Sequence, residues 1–300
     1  FMITILGPTA TGKTSFAAYV AAQLNGEIIS ADSRQVYQGM DIGTGKDLSE
    51  YEYDGLQIPH HLIDIVKPGY EYNVFEFQRD FLKAYEQIEK NGAFPILCGG
   101  TGMYIESVLK GYKLINVPAN EELREDLELK SDLDLEEILE NFKALHNTTD
   151  VSDRDRLLRA IEIQTYYDEN PDLDTSFPEI NTIILGLDFD RRVVRSRITD
   201  RLDERLKGGM IEEVEDLLAQ GVSAEKLKFY GLEYRFVTQY LSDEISYDEM
   251  SRRLNTAIHQ FAKRQMTWFR RMEKQGFEIH WLNGNLTHEQ KMMELMPLLR

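Results

Sequence analysis

The sequence predicts an α/β protein with a P-loop-containing core, in which helices flank a parallel sheet, plus an inserted all-helical subdomain. Two features predict the core: the loop GPTATGKT at Gly7–Thr14, and the alternation of strand and helix patterns after it. The insertion is predicted because only helical patterns occur from Val117 to a polar linker at 168–178. With 300 residues, 42% of them hydrophobic, the chain can bury cores for both parts.

The N-terminal segment has a strand–loop–helix pattern. Apolar residues dominate Met2–Leu6, which predicts a buried strand, and helical spacing begins at Ser15. The loop between them matches G-x-x-x-x-G-K-[ST], in which backbone N–H groups and a helix N-terminus face an anion. We expect it to bind phosphate, with Lys13 reaching the outer phosphates and Thr14 ligating Mg²⁺; a glycine turn with a solvated lysine is the alternative. The loop consists of Gly7, Pro8, Thr9, Ala10, Thr11, Gly12, Lys13 and Thr14.

Strand and helix patterns then alternate over the next hundred residues. Glu27–Ser30 is predicted as a strand, and Asn73 as the cap of a helix that ends at Gly92. Phe94–Cys98 is predicted as a buried strand, followed by a helix that begins near Gly102. Right-handed crossovers between such strands give a doubly wound parallel sheet.

We expect the insertion at residues 117–179, between a first part of the core at 1–116 and a second part at 180–300. The stretches ELREDLELK, LDLEEILENFKALH and SDRDRLLRAIEIQTYYDE follow one another there without a strand between them. Thr182–Leu187 is predicted to resume the sheet. A long helical region, a strand FEIHWL and a last helix complete the predicted order.

Charge is unevenly distributed along the chain. The formal net charge of −18 argues against bulk attraction to nucleic acid, but residues 252–274 carry seven Lys/Arg and one acid. Residues 121–140 carry ten acids and two bases. This uneven distribution of charge permits a basic groove on an acidic protein. The alternative for both charged segments is an ordinary solvated helix face. The sequence contains no run of about eighteen apolar residues, so we expect a cytoplasmic protein without a membrane segment. We also expect a monomer.

Three further features carry no predicted site. Gly39–Asp47 (GMDIGTGKD) is one residue too long for a second phosphate loop and has Asp47 in place of the hydroxyl, so we expect a plain loop. His60 and His61 lack metal-like partner spacing and are expected at the surface or behind a site. The single cysteine, Cys98, excludes an internal disulfide and a Cys-rich zinc module and is predicted to be a core thiol.

Candidate chemistry lies at the ends of two predicted strands. Asp32 follows the second strand, at the edge where ligands bind in open parallel sheets. It could ligate Mg²⁺, accept a proton from a nucleophile, or simply form a turn, and the residues alone leave these roles open. Thr101 follows the Phe94–Cys98 strand in the run GGTG, whose glycines allow close approach to a ligand or a structural turn.

Several sequence motifs that commonly accompany a phosphate loop are missing from the sequence. It contains no N-K-x-D for guanine, no glycine-rich kinase loop with H-R-D, and no acid directly after the Phe94–Cys98 strand. This suggests a ligand other than an ordinary nucleotide, and any substrate with a diphosphate would suit Lys13, Thr14 and the loop amides.

Five stretches in order resemble the tRNA dimethylallyltransferases (tRNA isopentenyltransferases) of the bacterial type: GPTATGKT, ADSRQVYQGMDIGTGK, PHHLIDI, GGTGMYIESVL and QFAKRQMTWFRR. The resemblance implies that the loop binds the diphosphate of dimethylallyl diphosphate with Mg²⁺. It implies an enzyme, a transferase that prenylates N6 of adenine 37, next to the anticodon of tRNA. It also implies that Asp32 takes the proton of the amine, that Thr101 hydrogen-bonds near it, and that Arg201 holds diphosphate oxygens.

The resemblance further implies contacts with tRNA. Ser33, Arg34 and Gln35, together with Asp32, match positions near the target base and its neighbours, and an unpaired base leaves its stack at low cost. Contacts in the insertion and in the basic helix are expected from Arg124, Asp155, Arg156, Leu157, Leu158, Arg159, Lys263 and Arg264. An ordinary salt-bridged helix is the alternative for the insertion arginines, and core packing for the basic helix, Trp268 included.

The chain departs from the family pattern in two places. KFYGLEYR at Lys228–Arg235 stands where the family often has an arginine and a Gly-Tyr pair, and HNTTDVSDRDR replaces a more frequent Pro-Asn-Asp run. Three other activities fit the loop: an adenylate isopentenyltransferase acting on free AMP, ADP or ATP, a nucleotide-switched binding module, and a small-molecule kinase. The helical insertion and AKRQMTWFRR favour tRNA over free nucleotide.

Overall fold

A computed structural model of the chain describes residues 1–111, 114–142, 154–173 and 176–299. The chain divides into two compact units, one made of Phe1–Gly111 with Pro178–Arg300 and the other of Tyr112–Phe177. The second unit overlaps the predicted insertion, whose contact with tRNA stays a prediction.

The first unit alternates strands with helices and then continues as a series of helices. Its strands are β1 (Met2–Leu6), β2 (Gly26–Ser30), β3 (Glu52–Tyr53), β4 (Leu56–Gln57), β5 (His60–His61), β6 (Phe94–Gly99), β7 (Thr182–Asp188) and β8 (Ile279–Asn283). Its helices before β7 are α1 (Lys13–Leu24), α2 (Val74–Lys90) and α3 (Gly102–Leu109). The second unit contains α4 (Glu121–Glu128), α5 (Asp132–Asn141) and α6 (Arg154–Glu169). The helices after β7 are α7 (Arg191–Lys207), α8 (Met210–Ala219), α9 (Ala224–Phe229), α10 (Leu232–Leu241), α11 (Tyr247–Lys274) and α12 (His288–Leu295).

Six strands form one parallel sheet in the order β5-β2-β6-β1-β7-β8. The predicted α/β class and parallel sheet are therefore confirmed. β1 lies between β6 and β7, so the chain passes from one half of the sheet to the other beside β1. Ligands bind at the carboxyl ends of the strands at such a switch point.

Local sequence explains where the main elements begin and end. All five residues of β1 are buried, as expected for a strand with neighbours on both sides and helices on both faces. The side chain of Asn73 accepts a hydrogen bond from the N–H of Glu76, and Glu76 bonds back to Asn73, so a capping box starts α2. The core of the sheet packs Ile3 and Ile5 with Phe16 and Val20 of α1.

The second unit has a small core of its own. Leu135, Leu157 and Ile161 are fully or almost fully buried in it, together with Leu127 and Leu158. Asn120 caps α4 and Ser131 caps α5 through side-chain bonds to backbone N–H groups.

Several short elements differ from the sequence-based expectation. His60 and His61 form the edge strand β5, where the His61 ring lies 2.6 Å from a carboxylate oxygen of Glu27. The two-residue strands β3 and β4 form a small antiparallel pair that no periodicity had indicated. None of the helices in the described ranges is both long and apolar enough to cross a membrane.

Candidate functional site

The carboxyl ends of three adjacent strands bring the candidate residues together. β6 pairs with β2 on one side and β1 on the other, with Cys98 opposite Ser30 and Gly99 opposite Leu6. The segments after these strands therefore start at the same edge of the sheet. They carry the loop of Gly7–Thr14, Asp32 and Thr101.

The predicted phosphate loop is held by hydrogen bonds from its own side chains to its own backbone. The Thr11 hydroxyl donates to the carbonyl of Pro8 over 2.8 Å, and the Lys13 ammonium donates to the same oxygen over 3.1 Å. α1 begins at Lys13 with no side-chain cap and no acidic residue in its first turn. The first backbone N–H groups and the positive end of the helix dipole are thus left for an anion.

Asp32 and Arg201 lie close enough to Lys13 for their charges to act on its ammonium. Burial lowers the pKa of the Lys13 ammonium, the Asp32 carboxylate opposes that shift, and the Arg201 guanidinium adds to it. Burial also raises the pKa of the nearby Cys98 thiol to about 12, so the expected core thiol is confirmed. The three residues that the sequence assigned to proton transfer and diphosphate binding therefore share one site.

Asp32 forms a turn and keeps one carboxylate oxygen available. Its Oδ1 accepts a hydrogen bond from the N–H of Arg34 over 2.9 Å, the turn contact considered as a structural alternative. Within the described part of the chain, Oδ2 accepts no hydrogen bond. Thr101 lies beside it, with Oγ1 accepting from the N–H of Ser33 over 3.1 Å. The turn fixes the direction of the carboxylate without using up its capacity to accept a proton.

Gln265 on α11 joins two sides of the site and was not among the predicted residues. Its Oε1 accepts from the N–H of Thr9 over 2.9 Å, and its Nε2 donates to the carbonyl of Gly100 over 2.9 Å. A signal for it was present in the sequence: Gln265 is the one polar member of the buried stripe of α11. The stripe consists of Met250, Leu254, Ile258, Ala262, Gln265, Phe269 and Met272.

The glycine run after β6 allows close packing of backbone. A Cβ atom added at Gly99 would lie 2.3 Å from the carbonyl oxygen of Ala31, which belongs to the chain just after β2. At Gly102 it would lie 2.3 Å from the Trp268 ring. Trp268 therefore packs on the start of α3, and the Arg271 guanidinium lies 3.9 Å from its ring centroid. This is the packing alternative considered for Trp268.

Arg34 lies next to the segment Lys228–Arg235, which departs from the family pattern. Its Nε lies 3.5 Å from the Cβ position of Gly231, between α9 and α10. Its positive charge acts on the hydroxyls of Tyr37 and Tyr104. In the part of the chain that is described, its guanidinium donates to no protein acceptor and is available to a ligand. Gln35 differs, because its side-chain oxygen accepts from the Ser30 hydroxyl over 3.4 Å.

The other basic residues that were predicted to contact tRNA fall into two groups. Lys263 and Arg264 are exposed on α11, as RNA contact would require. Arg124 and Arg159 instead bind the buried carboxylate of Glu162, where Arg124 makes two bonds of 3.0 Å and Arg159 a short contact. The Arg159 guanidinium also donates to the carbonyl of Val117 over 2.7 Å.

Two members of the stretch 155–159 have a different role from the one expected. Leu157 is fully buried and Leu158 is 7% exposed in the core of the second unit, so they pack and do not reach a ligand. Asp155 is exposed, and the side chain of Arg156 lies outside the described residues.

The Thr14 hydroxyl is the candidate Mg²⁺ ligand of this site, because a hard cation prefers oxygen ligands. Among described residues, no group of three or more His, Cys, Asp or Glu side chains could hold a metal ion. The Thr14 hydroxyl is half-buried at the start of α1, and no hydrogen bond engages it in the described ranges. One hydroxyl plus phosphate oxygens is the arrangement that Mg²⁺ commonly adopts in phosphate loops.

Fold and site define a P-loop α/β protein in which a carboxylate lies beside the loop. A family model described as IPP transferase matches residues 35–272, and one described as isopentenyl transferase matches residues 2–57. The chain belongs to the IPP transferase family. This confirms the family named from the sequence and the expectation of a transferase.

Similar proteins cover almost the whole chain. The protein called tRNA dimethylallyltransferase 2 of Bacteroides fragilis is 59% identical over 97% of this chain and 95% of its own length. Parabacteroides distasonis has a tRNA dimethylallyltransferase 1 that is 58% identical over 99% of this chain and 97% of its own. The crystal structure of a tRNA isopentenylpyrophosphate transferase from Bacillus halodurans matches with a TM-score of 0.72 at 31% identity, covering 99% of this chain and 95% of that one.

Proposed function

We propose that the protein transfers the dimethylallyl group of dimethylallyl diphosphate to N6 of adenine 37 in tRNA and releases diphosphate. The observation that carries this proposal is the juxtaposition of the loop lysine Lys13 with the carboxylate of Asp32 at one edge of the sheet. One group suits a diphosphate and the other suits a proton acceptor. The names of the similar bacterial proteins support the same activity.

The leaving group is stabilised by the loop and by arginine. An allylic diphosphate ionises more readily when charge developing on its oxygens meets preorganised donors. Lys13, the loop amides and Arg201 supply those donors, and the half-buried position of Lys13 strengthens its attraction for an anion. Mg²⁺, held by the Thr14 hydroxyl and the diphosphate, would add positive charge at the same oxygens.

The acceptor amine is activated by Asp32. The lone pair of an exocyclic adenine amine is delocalised, so a base that removes its proton as the C–N bond forms lowers the barrier. Oδ2 of Asp32 is the atom for this task, because Oδ1 is already bonded to the Arg34 N–H. Thr101 fixes Ser33 next to the base and presents its hydroxyl at the same edge.

Recognition of tRNA involves three regions in this proposal. Ser33, Arg34 and Gln35 lie directly after the proposed base. The Arg34 guanidinium, which donates to no acceptor among the described residues, is available for stacking or for phosphate. Lys263 and Arg264 on α11 provide exposed positive charge for the RNA backbone. In the second unit Arg124, Asp155, Arg156 and Arg159 remain proposed contacts, although Arg124 and Arg159 also serve Glu162.

The test is transfer from labelled dimethylallyl diphosphate in the presence of Mg²⁺. We expect label in tRNA that lacks the modification, none in the same tRNA with guanine at position 37, and none in AMP. Label in AMP alone would support the adenylate isopentenyltransferase instead. No transfer to either, combined with tight ATP binding, would support the nucleotide-switched module.

A further inference from the structure

Two arginines of α7 lie side by side against one glycine. Arg201 and Arg205 are four residues apart and so share a face of the helix. Arg201 donates to the carbonyl of Gly45 over 3.2 Å. A Cβ atom added at Gly45 would lie 1.8 Å from Nη2 of Arg205 and 3.0 Å from Nη2 of Arg201. Both guanidinium groups therefore contact the backbone of this residue.

The loop that carries Gly45 is anchored. The Glu213 carboxylate accepts three consecutive backbone N–H groups, those of residues 41, 42 and 43, over 2.7–3.0 Å. It also accepts the hydroxyl of Tyr234 on α10 over 2.6 Å. Gly45 itself has a φ of +67°, which favours glycine. The surface against which the two arginines lie is thus fixed in place.

Arg205 is only weakly satisfied by the protein. Its Nη1 lies 3.5 Å from Oε1 of Glu233 on α10, and the two side chains are 16% and 18% exposed. Among described residues this is the only hydrogen bond of a side chain with five N–H donors. Burial and the neighbouring charge of Arg201 lower the pKa of Arg205 to about 10, while the Glu233 carboxylate opposes this shift.

The pair is also connected to the proposed catalytic base. The charge of Asp32 acts on both Arg205 and Glu233, and Arg201 acts on Lys13 as well as on Arg205. Two adjacent guanidinium groups repel each other unless an anion lies between them or against them. A diphosphate offers several oxygens, enough for both.

We propose that Arg205 is a second diphosphate-binding arginine beside Arg201, and that Glu233 is a positioning residue that orients its guanidinium. This inference rests on the proposed function, because it takes the diphosphate of the prenyl donor as the ligand. Arg205 binds the donor and stabilises charge on the leaving group. Glu233 acts only through Arg205.

The test compares Arg205→Gln, Arg205→Lys and Glu233→Gln with the parent protein. Inorganic diphosphate binding by calorimetry with Mg²⁺ and the KM for dimethylallyl diphosphate are the readouts, with the KM for tRNA measured alongside. We expect Arg205→Gln to weaken diphosphate binding about tenfold or more, because charge-assisted bidentate bonds are lost. Arg205→Lys keeps the charge but not the fork, so it should recover only part of the loss. The KM for tRNA should stay the same.

A double-mutant cycle separates positioning from direct binding. If Glu233 acts through Arg205, Glu233→Gln weakens diphosphate binding in the parent background and adds no further loss in the Arg205→Gln background. Equal losses in both backgrounds would overturn the positioning role. Arg192→Ala is the matched control, an arginine of the same helix whose side chain is 93% exposed, and it should bind diphosphate like the parent.

The outcomes distinguish this inference from the proposed function. If the parent transfers dimethylallyl to tRNA while Arg205→Gln binds diphosphate with unchanged affinity, the inference is wrong and the function stands. If the parent transfers nothing, the function is wrong, and the calorimetric comparison still decides whether Arg205 binds diphosphate. If Arg205→Gln melts well below the parent, its weaker binding could reflect unfolding, and Arg205→Lys becomes the deciding variant. Parental affinity of Arg205→Lys for diphosphate would overturn the inference that the Arg205 guanidinium makes a bidentate contact.

Discussion

The side chain of Gln265 accepts a hydrogen bond from the backbone N–H of Thr9 across 256 positions of sequence, over 2.9 Å. With its other end it donates to the carbonyl of Gly100. A single residue of α11 therefore fixes both the proposed diphosphate loop and the glycine run that precedes Thr101.

Replacing Gln265 should loosen the site. Gln265→Ala leaves the N–H of Thr9 and the carbonyl of Gly100 without partners, at a cost of about 1–3 kcal/mol for a buried unsatisfied group. We expect a lower melting temperature and a raised KM for dimethylallyl diphosphate. Gln265→Glu can still accept from Thr9 but cannot donate to Gly100 when ionised. A KM unchanged in both variants would show that the bridge does not position the loop.

Asp32→Asn should separate chemistry from binding. The amide keeps the shape of the side chain and the turn contact with Arg34, but it cannot take a proton. We expect kcat to fall about 10²–10⁴-fold, as for loss of a general base, with diphosphate affinity within about threefold of the parent. Single-turnover kinetics measures the rate of the chemical step, and calorimetry measures the diphosphate affinity. Near-parental turnover would reduce Asp32 to a turn residue.

Lys13→Ala should harm binding and turnover together. The lysine lies in the proposed diphosphate loop, so its loss should lower kcat by about 100-fold and weaken diphosphate binding as well. Lys83→Ala is a control, since that side chain is 69% exposed on α2, and it should behave like the parent. Parental affinity and turnover in Lys13→Ala would refute the loop assignment.

The Glu162 cluster predicts a pH-dependent stability of the second unit. Burial alone would raise the pKa of Glu162, but bonds from Arg124, the Asn120 N–H and Arg159 outweigh it and hold the pKa at about 2, below the ordinary 4.5. Because the folded pKa is depressed, this stabilisation is complete above about pH 4.5 and is lost as the pH falls towards 2. Amide hydrogen exchange in α6 at pH 5 and pH 3 should show it. Glu162→Gln should reduce the difference, and the part that remains belongs to other carboxyls such as Asp134.

The same cluster tests whether Arg159 contacts tRNA. Arg159→Ala should raise the KM for tRNA and leave diphosphate affinity unchanged, but it also removes support from Glu162. Glu162→Gln keeps both arginines while weakening their anchor. If Glu162→Gln raises the KM for tRNA as much as Arg159→Ala does, the effect is structural and Arg159 is not an RNA contact.

Strands and the phosphate loop could be predicted because their signals are local. β1, β2, β6 and β7 are short apolar runs, and the loop is a fixed pattern, so neighbouring residues suffice. β5 could not be predicted, since two histidines have no periodicity and their pairing depends on β2. The family resemblance implies tRNA contacts for Leu157 and Leu158, but both lie in the buried cluster that contains Leu135 and are core residues.

The sequence did not predict the roles proposed for Glu233 and Gln265, because these depend on contacts between distant segments. Glu233 is paired with Arg205 from another helix, and Gln265 bonds to loops far from it in sequence. Nothing in the neighbourhood of Glu233 indicates a partner. Gln265 could have been identified from local sequence, because it interrupts the apolar stripe of α11. A buried polar residue in such a position commonly makes specific hydrogen bonds.

The approach of Gly99 to Ala31 has a consequence for mutational scans of this protein. Any side chain at that position would force two neighbouring strands apart, since the obstacle is a main-chain oxygen that cannot swing aside. In a saturation-mutagenesis map Gly99 would score as intolerant through loss of protein abundance, whereas Lys13 would score as intolerant at normal abundance through loss of turnover. Measuring abundance beside activity would therefore sort the residues of this edge into scaffold and chemistry.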